Sequence, residues 1–322
     1  MNRLEVVPSV HRIELSLGPR IICSYAIIGD NGVLVVDTGL RESVNTELLP
    51  HLAEAGIDAQ RVEFVVISHA DVDHSGGNGP LSRAIASSAK FICHELDQPM
   101  IADVDVLTRE RYECFRNGHG IDFGAAFSEW VYDNAEHVPI DITVQGGERI
   151  RLGDDSLIDV LHTPGHSRGH LSLWLADRRT AIICDAVLGR NVPTVDGRPF
   201  SPPTYRYVDS YLGTIARLQS MDIEVLLTGH NPVMRGDDVA QFLADSRAFV
   251  DELDAYILRL LDDDKLTTPE LIARIDHGLF GWPVENHANL IFPVAGHLER
   301  LEANGAVAAD RSQSLTTWWL AR

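Results

Sequence analysis

The chain has 322 residues, 45% of them hydrophobic, and its 27 Lys and Arg against 47 Asp and Glu give a formal net charge of -20. That length supplies a sizeable core and about two domains. The acidic balance argues against nucleic acid or an anionic membrane surface as partner, because both need clustered Lys and Arg to replace counterions.

Cys23, Cys93, Cys114 and Cys184 are far apart and form no CxxC pair, so neither a zinc ribbon nor a disulfide framework is expected. Reduced thiols in a cytoplasmic protein are the simplest reading. The opening MNRLEVVPSVHRIELSLG lacks the apolar core of a signal peptide, and no stretch approaches the ~18 apolar residues of a membrane span.

Up to about residue 91, short apolar runs alternate with turn signals: RIELSLG, YAIIGDNG, GVLVVDTG, FVVISH and KFICH read as strands, with a helix between Ser43 and Ala55. Residues 94–140 change character and predict a helical insertion carrying Tyr112, Phe115, Phe123, Phe127, Trp130 and Tyr132. Strands resume as ITVQGG, RIRLG, SLIDVLH, LSLWLAD and TAIICDA, then a helix near 207–220 and a last strand in EVLLTGH. Strand groups flanked by helices imply a sandwich with helices outside. From Asp237, a plausible N-cap, apolar positions recur at a spacing near 3.6, and Thr268-Pro269-Glu270 opens another helix.

Chemistry concentrates in Ser68-His69-Ala70-Asp71-Val72-Asp73-His74-Ser75-Gly76-Gly77, directly after a buried strand. A strand end that releases four metal-ligand side chains within six residues gathers them in one turn. His166, Asp185 and His230 each follow other predicted strands, so separate loops can converge on one sandwich edge. Seven such residues suit two metals better than one.

This pattern resembles that of the metallo-β-lactamase superfamily, HxHxDH followed by single His, Asp and His ligands, over roughly residues 8–235, including Asp37-Thr38-Gly39 and the Thr-Gly-His ending in His230. The resemblance implies an α+β fold, an αββα sandwich, with His69, Asp71 and His166 on one metal, Asp73, His74 and His230 on the other, and Asp185 bridging. Asp71 stands where the family has its second His. An added carboxylate hardens the site, so zinc is what the resemblance implies while Asp71 favours iron or manganese. It also adds negative charge beside the bound water, which should then be less acidic.

Asp37 is expected to orient a ligand His, and His170 to act structurally beside the ligand loop. Tyr112, Phe115 and Tyr205 are candidate pocket residues. The chain divides into a catalytic domain, 1–236, with 94–140 as a lid, and a helical domain, 237–322, which resembles the winged-helix appendage of some superfamily members. That segment carries 7 Lys and Arg against 15 Asp and Glu, a net -8 that would repel phosphates. The expected function is hydrolysis of a small or carrier-borne ester, thioester or lactone by water activated on two divalent cations, with Asp73 and Asp185 handling the proton. The alternative is a non-haem diiron oxidoreductase or oxygen-binding protein using the same residues. No protein nucleophile is required, and a homo-oligomer is compatible with the composition.

Overall fold

The computed structural model describes residues 3–153, 157–279 and 282–321. One sheet has seven strands in chain order: β1 (Arg3–Val7), β2 (Val10–Leu17), β3 (Arg20–Ile28), β4 (Val33–Val36), β5 (Val62–Val66), β6 (Lys90–His94) and β7 (Ile142–Val144). β1 to β4 pair antiparallel, and β4 to β7 pair parallel. The second part of the chain supplies β8 (Arg149–Arg151), β9 (Leu157–His162), β10 (Leu171–Leu175) and β11 (Thr180–Cys184), a ribbon of β12 (Val192–Pro193) and β13 (Pro199–Ser201), then β14 (Val225–Thr228) and β15 (Met234–Arg235). The second sheet runs β15-β14-β11-β10-β9-β8, and β11 and β14 are its one parallel pair.

Side-chain alternation explains the layers. In β4, Leu34 and Val36 face the cluster between the sheets, whereas Val33 and Val35 face the cluster under the outer helices. A strand buried on both faces reads as a continuous apolar run, as GVLVV does. β11 repeats this, with Ile182 inward and Ala181 and Ile183 outward. The result is the α+β sandwich anticipated from the sequence.

The segment 94–140 forms short helices, Gln98–Ala102, Val104–Leu107 and Ala125–Asn134, with a wide turn at Thr108–Tyr112. Beyond β15 lie the helices Asp237–Asp263, Thr268–Leu279 and Ile291–Ala303 and a small antiparallel sheet of β16 (Leu266–Thr267), β18 (Thr317–Leu320) and β17 (Val307–Asp310). Asp237 is not a cap. It is the first helical residue, Gly236 precedes it at φ +53°, and no side chain closes that end. Asp237 and Asp238 instead place charge in the first turn, where the helix end is positive.

One apolar cluster is continuous across residue 236: Tyr205, Tyr211 and Ile215 share it with Phe249, Leu253, Phe292 and Leu298. Among the described residues, no helix is long and apolar enough to cross a membrane.

Candidate metal centre

Parallel pairing sets the place of the site. β4 and β5 end side by side, as do β11 and β14, so the loops that follow them open on the same edge. β5 runs out into Ser68 and His69, and the single helical turn Val72–Ser75 then brings Asp73 and His74 round, held by His74 N–H donating to the Asp71 carbonyl at 2.9 Å. Asp185 follows β11, and Gly229-His230 follows β14.

Gly229 is glycine for a steric reason. A Cβ built there would lie 2.1 Å from Asp185 Oδ1 and 3.0 Å from the His74 ring. Cys23 N–H donates to the Gly229 carbonyl and Gly229 N–H to the Cys184 carbonyl, which fixes this approach.

Three groups of ligand atoms each gather within 4.8 Å: His69, Asp71 and His166; His69, His74 and Asp185; and Asp73, His74 and His230. Asp185 lies between two imidazoles, Oδ1 at 3.5 Å from His74 Nε2 and Oδ2 at 3.2 Å from His230 Nε2. His230 Nε2 is 3.7 Å from Asp73 Oδ2. The structure thus brings together all seven residues proposed as ligands. The buried Nε2 atoms of His69 and His74 and Oδ1 of Asp185 have no hydrogen-bond partner. Buried polar atoms are normally satisfied, so three orphans facing one point fit a bound cation.

The outer atoms of these rings are held. Asp37, fully buried at φ +58°, accepts from Ser68 N–H and Ser68 O–H at 2.7 Å each, and its Oδ2 lies 2.7 Å from His74 Nδ1. A carboxylate can only accept, so His74 carries its proton on Nδ1 and can present Nε2 to the centre. His230 Nδ1 is 2.7 Å from the Ile21 carbonyl and His69 Nδ1 is 2.9 Å from Ser68 Oγ.

Burial, reinforced by His74 and His166, lowers the His69 pKa to about 3. At His74 burial also opposes charge, but the carboxylates of Asp185 and Asp37 outweigh it and push the pKa well above the ordinary value. A field that binds a proton so firmly at His74 favours a cation in its place. Burial works against the charge of Asp185, yet His230 and His74 hold its pKa well below the carboxylate range.

Asp71 has a partner that sequence reasoning missed. Arg111, from the turn in the insertion, donates Nε to Asp71 Oδ1 at 2.7 Å and Nη2 to Oδ2 at 2.9 Å. Nη1 donates to the His166 carbonyl at 3.0 Å, and the guanidinium lies 4.4 Å from the Phe292 ring centre. Burial disfavours the Asp71 charge, but Arg111 foremost holds its pKa well below the usual range. The expectation of one uncompensated negative charge beside the centre is therefore corrected: Asp71 with Arg111 is a neutral pair, as the imidazole it replaces would be. No spacing rule links residues 71 and 111, and only their contact in space reveals the pair.

Beside the cluster lies a cavity of about 440 Å³ whose lining includes Asp71, Asp73, Asp185 and His230. The insertion contributes Tyr112, Phe123, Phe127 and Trp130 to its wall, and Phe292 and Asn289 come from the C-terminal segment. Phe115 and Tyr205 are not there. Phe115 is buried against Phe292 and lines a separate cavity, while Tyr205 stacks on Tyr211 and its hydroxyl lies 2.8 Å from His297 Nε2. An aromatic near a ligand loop has no one-dimensional signal telling wall from core. His170 is buried, stacked on His69 at 5.0 Å, with Nδ1 3.0 Å from Thr163 Oγ1.

The sandwich, the strand-end ligand cluster and the glycine behind it define a metallohydrolase class. Residues 17–230 match the model of the metallo-beta-lactamase superfamily, and the chain belongs to that superfamily. It is 27% identical over 216 residues to the acyl-coenzyme A thioesterase MBLAC2 of Homo sapiens, covering 64% of this chain and 71% of that protein. Identity to the probable metallo-hydrolase YqjP of Bacillus subtilis is 21% over 298 residues, 88% of this chain and 89% of the other. A beta-lactamase-like protein 2 homolog of Caenorhabditis elegans is 21% identical over 62% of this chain, which spans only 52% of that protein's length. In fold, a metallo-beta-lactamase family protein from Thermus thermophilus superposes with a TM-score of 0.78 at 21% identity, over 98% of this chain and 99% of that one.

Proposed function

We propose that the chain is a dinuclear metal-dependent hydrolase of a small or carrier-borne ester, thioester or lactone. The observation that carries this reading is the chain of three adjoining ligand groups, joined through His69 and through His74, beside a cavity with aromatic walls whose lining includes Asp71, Asp73, Asp185 and His230. Divalent cations at such a centre supply acidified water and polarisation of the scissile carbonyl.

The chain's own residues do the rest. Asp185 spans His74 and His230, and Asp37 holds His74 in the tautomer that faces the centre. Asp73, partly open to the cavity, is placed to take a proton from the attacking water and return it to the leaving oxygen or sulfur. Tyr112, Phe127 and Trp130 offer an apolar bed for an acyl group and exclude water from it.

The name of the thioesterase relative supports a thioester as the first substrate to try. The carboxylate that pointed to a diiron oxidoreductase, Asp71, is already paired with Arg111, which removes the observation favouring that alternative. Single turnover of an acyl thioester panel in ¹⁸O-labelled water tests the reading. Label should enter the acid product with no acylated protein in the mass spectrum; an accumulating acyl-enzyme, or product oxygen from O₂, would refute it.

A further inference from the structure

The two halves of the centre differ in a way the ligand pattern does not show. Arg111 touches two of the three residues of one group: its Nη2 lies 2.9 Å from Asp71 Oδ2 and 3.0 Å from His166 Nε2. Those atoms also face each other at 2.9 Å. The guanidinium is thus already seated as a cation against the atoms that a metal would need.

It cannot easily swing away. The Arg111 side chain is only 7% exposed, its Nε and both Nη atoms have partners, and the Phe292 ring covers its face. The other half has no such competitor. Among the described residues, no Lys or Arg hydrogen-bonds Asp73, His74, Asp185 or His230; Arg20 lines the cavity and feels Asp73 and Asp185 without forming an ion pair.

Charge gives the order. Asp73 and Asp185 leave two carboxylates facing a cation at one half, whereas at the other the single carboxylate, Asp71, is already neutralised. A fixed positive charge within hydrogen-bond reach of the ligands opposes a divalent cation strongly, because a buried site screens poorly.

We propose that Arg111 is an internal cation that makes the centre load in sequence: a divalent metal first at Asp73, His74, His230 and Asp185, and a second, far more weakly, at His69, Asp71 and His166. Arg111 is in this sense a positioning residue that sets metal occupancy. The inference rests on the proposed metal dependence but not on any particular substrate.

The test is a binding measurement on the full chain. Protein stripped by chelator is titrated with zinc, and separately with manganese, against a chromophoric chelator, with circular dichroism confirming the fold of each variant. The wild type should bind one equivalent at least 100-fold more tightly than the second. Arg111→Met, which keeps the length and removes the charge, should bring the second equivalent at least tenfold closer to the first. Asp71→Asn should abolish the second equivalent and leave the first within threefold of wild type.

Two equivalents of equal affinity in the wild type would overturn the proposal without touching the hydrolase reading. So would loss of the tight equivalent in Asp71→Asn, or a weaker second equivalent in folded Arg111→Met. A wild-type chain that binds neither metal would overturn both readings. The wild-type and Asp71→Asn results decide the matter even if Arg111→Met does not fold.

Discussion

Asp37→Asn is the most incisive single change at the centre, because it reverses the polarity of one carboxylate oxygen, the Oδ2 shared by Ser68 Oγ and His74 Nδ1, and changes almost no volume. Asn tolerates the left-handed backbone at φ +58° as Asp does, so the turn itself should survive. Its carbonyl oxygen can still accept the Ser68 N–H that reaches Asp37 Oδ1 at 2.7 Å. The other end becomes an NH₂ group facing His74 Nδ1, 2.7 Å from the present Oδ2. Two donors then meet, and relief requires His74 to move its proton to Nε2, the atom directed at Asp185. A charge-assisted hydrogen bond lost in a buried site costs about 1.5–3 kcal/mol, and outer-layer partners of metal-bound His typically change affinity about 10–100-fold. The expected outcome is therefore a roughly 10- to 100-fold weaker hold on the tightest metal in a chelator-competition assay, with normal far-ultraviolet dichroism. Unchanged affinity in a folded variant would refute the claim that Asp37 sets the His74 tautomer.

Three further changes probe other parts of the molecule. Gly229→Ala should yield folded protein with strongly reduced metal content by elemental analysis, because its methyl group would meet Asp185 Oδ1. Tyr205→Phe removes one buried hydroxyl bonded to His297 and should cost about 1–2 kcal/mol, read as a fall of a few degrees in Tm, while metal content stays at the wild-type level. At His137 burial lowers the pKa from 6.5 to about 4, and neither ring nitrogen has a hydrogen-bond partner. The unfolded chain then binds more protons than the folded one between those values, so stability is lost as pH falls from about 6.5 towards 4. His137→Gln should flatten that acid limb in urea unfolding followed across pH; an unaltered slope would show that His137 does not contribute to it.

The metal cluster was legible in one dimension because its parts are local. His69, Asp71, Asp73 and His74 fall within six residues just past one strand end, and His166, Asp185 and His230 each follow another apolar run. The period-2 and continuous runs likewise specify strands, since a pleated chain must alternate its faces and a strand covered on both sides must be apolar throughout. The 3.6 spacing from Asp237 onward specifies the long helix, although spacing alone does not tell its first residue from its cap.

Long-range contacts belong to the tertiary structure alone. Arg111 meets Asp71 across 40 residues, and nothing in the local pattern distinguishes it from Arg109 or Arg116, which pair at the surface with Glu110, Glu113 and Asp122. Tyr112 walls the cavity while Phe115, three residues on, is buried behind Phe292, because the turn at Thr108–Tyr112 and the packing of the C-terminal helix decide which aromatic faces the metal edge. Residue type and spacing determine which side chains can bind a cation and on which strand ends they sit. Which charges neutralise them, and which rings surround them, depends on elements distant in sequence, since Coulomb and packing energies are set by separation in space.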